Sequence, residues 1–283
     1  MKTCLVLEGG ALRGIYTAGV LDELMKENIK IDTIIGVSMG ALVGINYISN
    51  QPKRALRYNL RYSNDKRYIS ISSFIKTGNI VNKEFAYYEL PEKLDKFDYD
   101  TFNKSKTKMI CVVTNVDTGK AEYIEIKDSK RDTEYLRASS AMPGVSKIIE
   151  INNKKYLDGG ISDSIPIKYA LSKKYDKIIV VTTRCLEYRK ENKKSKLLNF
   201  IYRKYPEFLN TINNRPIEYN KTVEDIIKLE KENKIFVIRP SKKINIKRIE
   251  KNNEIIKAQY DLGVKDFNKK KKDLKKYLRW LYE

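Results

Sequence analysis

Short apolar runs and amphipathic stretches take turns in the first part of the chain. Thr3–Leu7 and Thr33–Val37 are apolar runs with the length of a buried strand. A turn with glycine or serine follows each run, and a stretch with helical spacing comes next, about Ile15–Lys26 and then Met39–Ile48. This order predicts the opening of a parallel sheet covered by helices, so the expected fold class is α/β.

Further strands are predicted from the same pattern. Lys108–Val116 is strongly apolar, and the alternating segment Ala121–Ile126 follows it after a short turn, which indicates a hairpin. Lys147–Ile151 and Lys155–Leu157 form a second hairpin around two asparagines. Lys177–Thr183 is another buried strand. These segments enlarge the predicted sheet and make it mixed, although mostly parallel.

Proline and capping residues mark the remaining helices. Helices are expected from Pro52 to about Tyr62, from Asp132 through Ser140, and from Pro166 to about Lys173. The stretch Tyr68–Leu90 mixes apolar residues with Gly78 and polar positions, and no single element is predicted there.

The pattern changes after Cys185, where lysine, asparagine and glutamate become frequent. Residues 1–185 are expected to form the main domain. Residues 186–283 are expected to form a basic, mainly helical region, with one strand near 235–238 completing the main sheet. The segment from about Ile249 onward is predicted to be helical.

The composition is that of a folded, basic protein. Of the 283 residues 41% are apolar, which suffices for a packed core, and the formal net charge is +21. Residues 186–283 carry 27 basic and 14 acidic residues and are the more basic part. Basic surfaces attract anionic lipids, anionic substrates or nucleic acid. A coding bias toward lysine, asparagine and isoleucine explains the same composition without any partner.

Cysteine and histidine usage narrows the compartment and the chemistry. Cys4, Cys111 and Cys185 lie far apart, and an odd number without C-x-x-C suits a reducing compartment. The first ten residues lack the pattern of a secretory signal, so a cytoplasmic protein is expected. The chain contains no histidine, so zinc has almost no ligands, and neither a metal nor a cofactor is expected. No pattern indicates the oligomeric state.

The segment Gly36–Gly40 (GVSMG) fits the nucleophile elbow G-x-S-x-G. Ser38 follows a predicted strand directly, and Met39 begins a predicted helix, which is the context that the elbow requires. Gly36 and Gly40 would let strand and helix approach closely. The alternative is a glycine-serine loop that only packs a turn. Without histidine a Ser-His-acid triad is excluded, so either Ser38 is not a nucleophile or its base is another residue.

A second glycine-rich turn, Gly9–Gly14 (GGALRG), lies between the first strand and the first helix. Its backbone N–H groups indicate an anion cradle. It lacks the lysine of a phosphate loop, and an oxyanion hole beside Ser38 is the other interpretation. Arg13 either steadies this loop or meets an anionic group of the substrate.

A carboxylate candidate follows a predicted strand in the segment Asp158–Gly160 (DGG). Strand ends are where the active-site residues of open α/β sheets gather. Taken alone, Asp158 with Gly159 and Gly160 is an ordinary turn. Asp163 is the nearest competing carboxylate.

Four segments together resemble the motif blocks of the patatin-like phospholipases. The combination is far more specific than any one block and extends over about residues 1–182. In chain order, the blocks are Gly9–Gly14, Gly36–Gly40, Ala138–Gly144 (ASSAMPG) and Asp158–Gly160.

The resemblance implies a fold, a reaction and a set of site residues. It implies a three-layer α/β/α fold and hydrolysis of lipid esters by a Ser-Asp dyad, with Ser38 as nucleophile and Asp158 as base. It also implies that the N–H groups of Gly9, Gly10 and Ala11 form the oxyanion hole. Alanine at the position of the usual third glycine is a departure, since alanine tolerates positive φ less well. The supporting positions are Arg13, Gly14, Gly36, Met39, Gly40, Gly159 and Gly160.

Two basic segments have the spacing of amphipathic helices. Lys193–Tyr205 places Leu197, Leu198, Ile201 and Tyr205 on one helical face. Near the C-terminus the spacing repeats with Leu274, Leu278 and Leu281, and Trp280 lies nearby. Packing on the protein's own core is the more common role of such stripes, and peripheral association with an anionic membrane is the alternative.

The favoured hypothesis is a serine hydrolase that cleaves carboxylic esters of lipids. Residues of Tyr68–Leu90 and of 186–232 are candidates for an acyl pocket or a lid. A catalytically weak lipid-binding or regulatory protein with the same fold is the first alternative. A nucleic-acid-binding module is the second, and no nucleic-acid recognition motif supports it.

Overall fold

The computed structural model describes residues 1–279, whose center is a mixed β-sheet. Hydrogen-bonded neighbours run in the order β5-β6-β3-β2-β1-β7-β8, and β4 also pairs with β3. The strands are β1 Thr3–Leu7, β2 Thr33–Val37, β3 Lys108–Asn115, β4 Ala121–Ile126, β5 Ile149–Ile151, β6 Lys154–Asp158, β7 Lys177–Val181 and β8 Phe236–Ile238.

Parallel pairing dominates one side of the sheet. β3, β2, β1, β7 and β8 are parallel to their neighbours along this path. β4 and β6 are antiparallel to β3, and β5 is antiparallel to β6. The edge strand β8 therefore comes from the region after Cys185 and joins the sheet beside β7.

Helices cover both faces of the sheet. A π-helix over Phe85–Leu94 and short 3₁₀ turns add to the α-helices. The α-helices are α1 Ile15–Lys26, α2 Met39–Ile48, α3 Arg54–Tyr62, α4 Ile71–Thr77, α5 Tyr99–Lys104, α6 Thr133–Ser139, α7 Ile167–Ser172, α8 Lys196–Ile201, α9 Pro206–Lys231 and α10 Asn253–Arg279.

The two faces of the sheet form separate cores, as the twofold period of a strand requires. In β1, Leu5 and Leu7 pack with α1, α2, α3 and α10. Cys4 and Val6 point to the opposite face and pack with α7 and α9. The α/β class and the three-layer α/β/α arrangement predicted from sequence are confirmed, as is the C-terminal helix.

The C-terminal helix α10 crosses α1 at very short range. A Cβ atom built on Gly263 would lie 2.1 Å from the carbonyl oxygen of Tyr16, and one on Gly19 would lie 2.3 Å from that of Tyr260. Both glycines let the backbones meet where any side chain would collide. α10 therefore covers α1 directly instead of forming a separate layer.

Two stretches depart from simple helical or strand patterns. Within Tyr68–Leu90 lie α4 and the first part of the π-helix, which contains Pro91 in its interior. A proline there removes a backbone donor, so no regular α-helical spacing marks the segment. The predicted helix over Lys193–Tyr205 is shorter, since α8 covers only Lys196–Ile201.

The apolar stripes divide between core and surface. Leu198 and Tyr205 are partly buried against the core, whereas Leu197 and Ile201 are exposed. In α10, Leu274 is fully buried and Leu278 packs against the core. Trp280 and Leu281 lie outside the described residues. No helix within residues 1–279 combines the length and the apolar character needed to cross a bilayer.

Candidate active site

Strand pairing brings the ends of β2 and β6 together. β4 occupies one edge of β3 from Met109 to Thr114. β2 and β6 must therefore share the other edge, where they follow one another. Val37 at the end of β2 lies opposite Val112, and Asp158 at the end of β6 lies opposite the next residue, Val113. Because consecutive strand residues are only ~3.3 Å apart, Ser38 and Asp158 meet at this junction.

Ser38 occupies a strained turn between β2 and α2. Its backbone has φ 53° and ψ −124°, a conformation that L-residues rarely adopt. A Cβ on Gly36 would lie 2.7 Å from the Ala41 nitrogen, and one on Gly40 would lie 2.7 Å from the Leu7 carbonyl oxygen. Both glycines are required by close packing, and Ser38 is presented at the N-terminus of α2, where the helix dipole favours negative charge.

The segment Ala138–Gly144 holds both candidate residues in place. The Oγ atom of Ser139 accepts a hydrogen bond from the Ser38 N–H at 2.8 Å and donates one to the Val112 carbonyl at 2.6 Å. The carbonyl of Ala141 accepts the Asp158 N–H at 2.9 Å. Ser139 is therefore a positioning residue for the serine turn, although sequence reasoning gave it no role beyond membership of the motif.

Asp158 is a buried carboxylate that is fixed by its own turn. Its Oδ1 atom accepts the Gly160 N–H at 2.7 Å. A Cβ on Gly159 would lie 2.1 Å from the Val112 carbonyl oxygen, so only glycine fits there. Burial raises the pKa of Asp158, and the Arg215 guanidinium, the Gly160 N–H and the Ser38 hydroxyl partly oppose that rise. A raised pKa makes the carboxylate a better proton acceptor than an exposed aspartate.

The contact between the two candidates is close but not a tight hydrogen bond. Ser38 and Asp158 line the same cavity, and the serine hydroxyl lowers the pKa of the Asp158 carboxyl. Among the hydrogen bonds of residues 1–279 at 3.5 Å or less, none starts from the Ser38 Oγ atom. Such hydrogen bonds are often long in unliganded enzymes.

The glycine-rich loop offers backbone donors beside Ser38. The N–H of Gly9 donates to the Ser164 carbonyl at 3.2 Å. The N–H groups of Gly10 and Ala11 have no acceptor among residues 1–279. Ala11 has φ 49°, so the residue at the departure from the usual glycine does adopt the left-handed region. These two groups are the unoccupied donors of the loop.

Arg13 and Gly14 end the glycine-rich loop, on the side where it packs against α2. A Cβ on Gly14 would lie 2.6 Å from the Met39 side chain, so the loop packs directly on the first residue of α2. Burial, and next the repulsion from Arg184, lowers the pKa of Arg13 to about 10. The Nε atom of Arg13 is buried without a hydrogen-bond partner.

An apolar cavity opens on one side of Ser38. It encloses about 1080 Å³, counted with the solvent-open part, and its walls come mostly from α2, α3, the π-helix and α6. Residues between Tyr68 and Leu90 contribute to it, as the sequence suggested for an acyl pocket. Lining side chains include Leu42, Tyr58, Tyr87, Leu90, Phe97 and Leu136.

A second cavity of about 1350 Å³, including its solvent-open part, contains Ser38, Asp158 and the glycine-rich loop. It is called the cationic cavity here because basic side chains dominate its charged lining. Met142, Ala11, Ser38 and Arg248 belong to both cavities, so the two spaces meet at the serine. The basic lining residues are Arg13, Arg184, Lys190, Lys193, Arg215 and Arg248.

The competing aspartate lies elsewhere. Asp163 accepts a hydrogen bond from the Tyr123 hydroxyl at 2.8 Å. It lines a different cavity, together with Lys168, that does not include Ser38. The geometry therefore favours Asp158 as the partner of Ser38.

Several polar residues of the site carry no sequence signal. Glu8 is buried, and its two carboxylate oxygens accept the Tyr219 hydroxyl and the Thr183 N–H. Arg215 donates from Nε to the Gly160 carbonyl, directly beside Asp158. The position of Glu8 directly before the glycine-rich loop could have suggested a role for it. Arg215 lies in a helix with many other charged residues, so its position gave no such indication.

Comparisons with known proteins show which family models and relatives this chain resembles. The family model described as patatin-like phospholipase matches residues 5–171, and a model for a domain of unknown function (DUF6363) matches residues 205–279. The chain is 32% identical over 188 residues to the uncharacterized protein YjjU of Escherichia coli, covering 64% of this chain and 52% of the relative. The chain thus spans about half the length of that relative.

Other relatives carry names that refer to lipids. A probable lipid hydrolase of Invertebrate iridescent virus 6 is 30% identical over 65% of this chain and 71% of its own length. The lysophospholipase NTE1 of Meyerozyma guilliermondii is 28% identical over 62% of this chain but only 12% of its own length.

Among solved structures, VipD of Legionella pneumophila has a TM-score of 0.41 at 11% identity, covering 95% of this chain and 67% of VipD.

Proposed function

The chain belongs to the patatin-like phospholipase family, and from that premise we propose that it is a serine hydrolase cleaving carboxylic ester bonds of lipids. Ser38 is the nucleophile and Asp158 the general base. The observation that carries the proposal is the shared edge of β3, which brings the strained serine and the buried carboxylate to one junction. The names of the lipid hydrolase and lysophospholipase relatives support the same class of substrate.

The first half-reaction forms an acyl-enzyme. Asp158 accepts the hydroxyl proton of Ser38 while Oγ bonds to the ester carbonyl carbon. The resulting oxyanion receives the N–H groups of Gly10 and Ala11, with the α2 dipole adding positive potential. The C–O bond to the alcohol then breaks, and the alcohol leaves with the proton from Asp158.

The second half-reaction regenerates the enzyme. Asp158 takes a proton from water, whose oxygen attacks the acyl carbon at Ser38 through the same oxyanion site. The bond between the acyl carbon and the Ser38 Oγ atom breaks, the proton passes from Asp158 to Oγ, and a fatty acid is released. Gly9, whose N–H already binds Ser164, shapes the loop in this proposal, so that Gly10 and Ala11 are the donors.

The test is ester hydrolysis by wild type and two variants, with fluorophosphonate labelling. We expect Ser38→Ala and Asp158→Asn each to lose at least about a thousandfold in kcat, since each removes a member of a concerted pair. The label should attach to Ser38 in wild type. Turnover that persists in Ser38→Ala would rule out the mechanism.

The matched control is Asp163→Asn, which changes a partly buried aspartate five residues away in the sequence. We expect it to keep most of the wild-type activity, because Asp163 faces another cavity. If Asp163→Asn alone were inactive, Asp163 would be the base. A wild-type protein that binds lipid without turnover or labelling would favour the lipid-binding alternative.

Peripheral association with an anionic membrane is proposed for the surface around α4 and α8. Ile75 is 78% exposed in α4, and Leu197 and Phe200 are 65% and 66% exposed in α8. Residues that follow each helix bind the segment 143–147: the Ile80 N–H donates to the Val145 carbonyl, and the Tyr202 hydroxyl accepts the Gly144 N–H. Exposed lysines before α8 add the positive charge that such membranes attract.

Vesicle sedimentation measures this association. We expect more binding to phosphatidylglycerol vesicles than to phosphatidylcholine vesicles, and several-fold less binding for the double change Leu197→Ser with Phe200→Ser. Leu171→Ser, at an exposed leucine of α7, is the control and should bind as wild type does. Equal binding of wild type and the double variant would exclude α8 from the contact.

We also propose that the chain divides near residue 185 into a catalytic core and a basic, mainly helical region. The end of the phospholipase match at residue 171 and the start of the second match at residue 205 support it. A cytoplasmic location stays a prediction from the cysteine pattern.

A further inference from the structure

The cationic cavity holds more positive charge than its carboxylates neutralise. Five of its six basic lining residues, all except Lys193, are called the cationic cluster. None of the five forms an ion pair within 4.0 Å in the part of the chain that the structure describes. The cluster consists of Arg13, Arg184, Lys190, Arg215 and Arg248.

The acidic groups facing this cavity are already engaged. Both oxygens of Glu8 accept hydrogen bonds from Tyr219 and Thr183. Glu191 pairs with Lys193 at the surface. Asp158 is reserved for the proton transfer under the proposed function. The protein therefore provides no counter-ion that comes into direct contact with the cluster.

Burial and mutual repulsion both disfavour the charged forms of residues in the cluster. Burial, and next the repulsion from Arg215, lowers the pKa of Lys190 to about 6. Burial also lowers the pKa of Arg215, and Arg248 adds to the effect. Cations that are partly removed from water and repel one another are stabilised when an external anion enters.

Hydrogen-bond donors in the cavity also lack partners. The Arg13 Nε atom and the Thr183 Oγ1 atom are buried without any hydrogen bond, and both residues line the cavity. Stacking fixes other members of the lining, since the Arg184 guanidinium lies 4.1 Å from the Tyr188 ring and the Lys190 ammonium 3.7 Å from the Tyr219 ring. Buried donors without partners are rare, and a ligand that accepts their hydrogen bonds would satisfy them.

The position of the cavity identifies which part of the substrate it receives. Because both cavities meet at Ser38, an ester carbonyl at the serine can direct its acyl chain into the apolar cavity. The alcohol part then enters the cationic cavity. Arginine side chains match phosphate oxygens with paired donors, and a cluster of this charge repels a choline-type cation.

We propose that the cationic cavity binds the phosphate of an anionic glycerophospholipid head group, so that the enzyme selects phosphate-bearing esters without a cationic head. This inference rests on the proposed function and names the substrate class of its site. Arg184, Lys190, Arg215 and Arg248 all follow the family-model match that ends at residue 171. The region after the motif blocks thus supplies most of the head-group selectivity.

The experiment uses three esters of the same acid that stay monomeric in solution: hexanoyl glycerophosphate, hexanoyl glycerophosphocholine and monohexanoylglycerol. Without a lipid surface, attraction to a membrane cannot produce a preference. We expect kcat/KM for the glycerophosphate ester to exceed the other two by about tenfold or more, the size expected for charged hydrogen bonds. Glycerophosphate should inhibit competitively, and more strongly than inorganic phosphate.

Variants locate the effect in the cluster. Arg184→Gln and Arg248→Gln should each lower the ratio of kcat/KM for the glycerophosphate ester over monohexanoylglycerol by about tenfold. The control is Arg203→Gln, an exposed arginine that lines neither cavity, and the ratio should stay at the wild-type value. The comparison of substrates and inhibitors in wild type needs no variant, so misfolding of one does not decide the outcome.

Equal kcat/KM for the three esters in wild type would overturn the inference, and so would inhibition by inorganic phosphate as strong as by glycerophosphate. These failures differ from failure of the proposed function. If wild type hydrolyses all three esters equally and Ser38→Ala hydrolyses none, the hydrolase stands and the head-group site falls. If Ser38→Ala remains active, the function itself is wrong.

Discussion

An arginine lines each of the two cavities that meet at Ser38, and the two guanidinium groups differ in whether the protein satisfies their hydrogen bonds. In the apolar cavity, Arg54 donates to the Asn46 side chain and the Asp95 carbonyl, and its guanidinium pairs with the Asp95 carboxylate at 3.3 Å. In the cationic cavity, Arg13 keeps a buried Nε atom without a partner. An arginine that is satisfied internally serves the fold, whereas one left unsatisfied beside a nucleophile points to a ligand.

The origin of the walls differs in the same way. The apolar cavity is built almost entirely from residues before Pro143, with Arg248 and Ile249 at its margin. The cationic cavity combines the motif residues with side chains from Thr183 to Arg248. Under the proposed function, the first part of the chain supplies the acyl site, and the later part supplies most of the positive charge of the head-group site.

Of the two tests of this comparison, the larger effect is expected for Ala86→Phe, which should change selectivity for the acyl chain without changing selectivity for the head group. Ala86 lies in the π-helix and lines the apolar cavity, so Ala86→Phe fills space that a long acyl chain needs. Each excluded methylene forfeits ~0.8 kcal/mol of burial. We expect the ratio of kcat/KM for decanoyl over butyryl esters to fall at least about tenfold.

The same variant should leave the ratio for phosphate-bearing over uncharged hexanoyl esters near the wild-type value. Tyr88→Phe, at an exposed position of the same π-helix, is the control for both ratios. If Ala86→Phe changed the head-group ratio and left the acyl-chain ratio unchanged, the two cavities would have been assigned to the wrong halves of the substrate.

A smaller effect concerns the pH dependence of the base. Burial raises the pKa of Asp158, and the positive charge of Arg215 opposes that rise. The base must be deprotonated to act, so activity increases with pH through this pKa. Arg215→Gln should shift the acid limb of the kcat/KM profile for monohexanoylglycerol to higher pH. An uncharged substrate keeps head-group binding out of the measurement.

Arg215→Lys keeps the positive charge and serves as the control, with an acid limb closer to that of wild type. An unshifted limb in Arg215→Gln would mean that Arg215 acts only on the head group and not on Asp158.

Local sequence patterns predicted the first two strands and the first two α-helices with little error. The bounds of β1, α1, β2 and α2 coincide with the predicted segments, because each is a short apolar or amphipathic run bounded by a glycine or serine turn. The sequence predicted no element around Pro91, since a π-helix does not show the apolar spacing of an α-helix or a strand. The shortening of the predicted helix at Lys193–Tyr205 follows from Ser195, whose hydroxyl caps α8 by accepting the Leu198 N–H.

The candidate site was predictable only in part. Ser38 and Asp158 follow from motifs, but their proximity depends on β6 pairing with β3 on the same edge as β2, directly beyond the end of β2. No local pattern encodes that pairing. The cationic cluster was hidden by the 57 lysine and arginine residues of the chain. Only the tertiary structure distinguishes Arg215, buried beside Asp158, from the many basic side chains in water.

The crossing of α1 and α10 at Gly19 and Gly263 has a consequence for synthesis of the protein. Helix α1 is made early, but the backbone that covers it appears roughly 240 residues later. Contacts of such separation form slowly and leave apolar surface exposed in the meantime. The surface of α1 that α10 covers therefore stays exposed until Asn253–Arg279 has been synthesised.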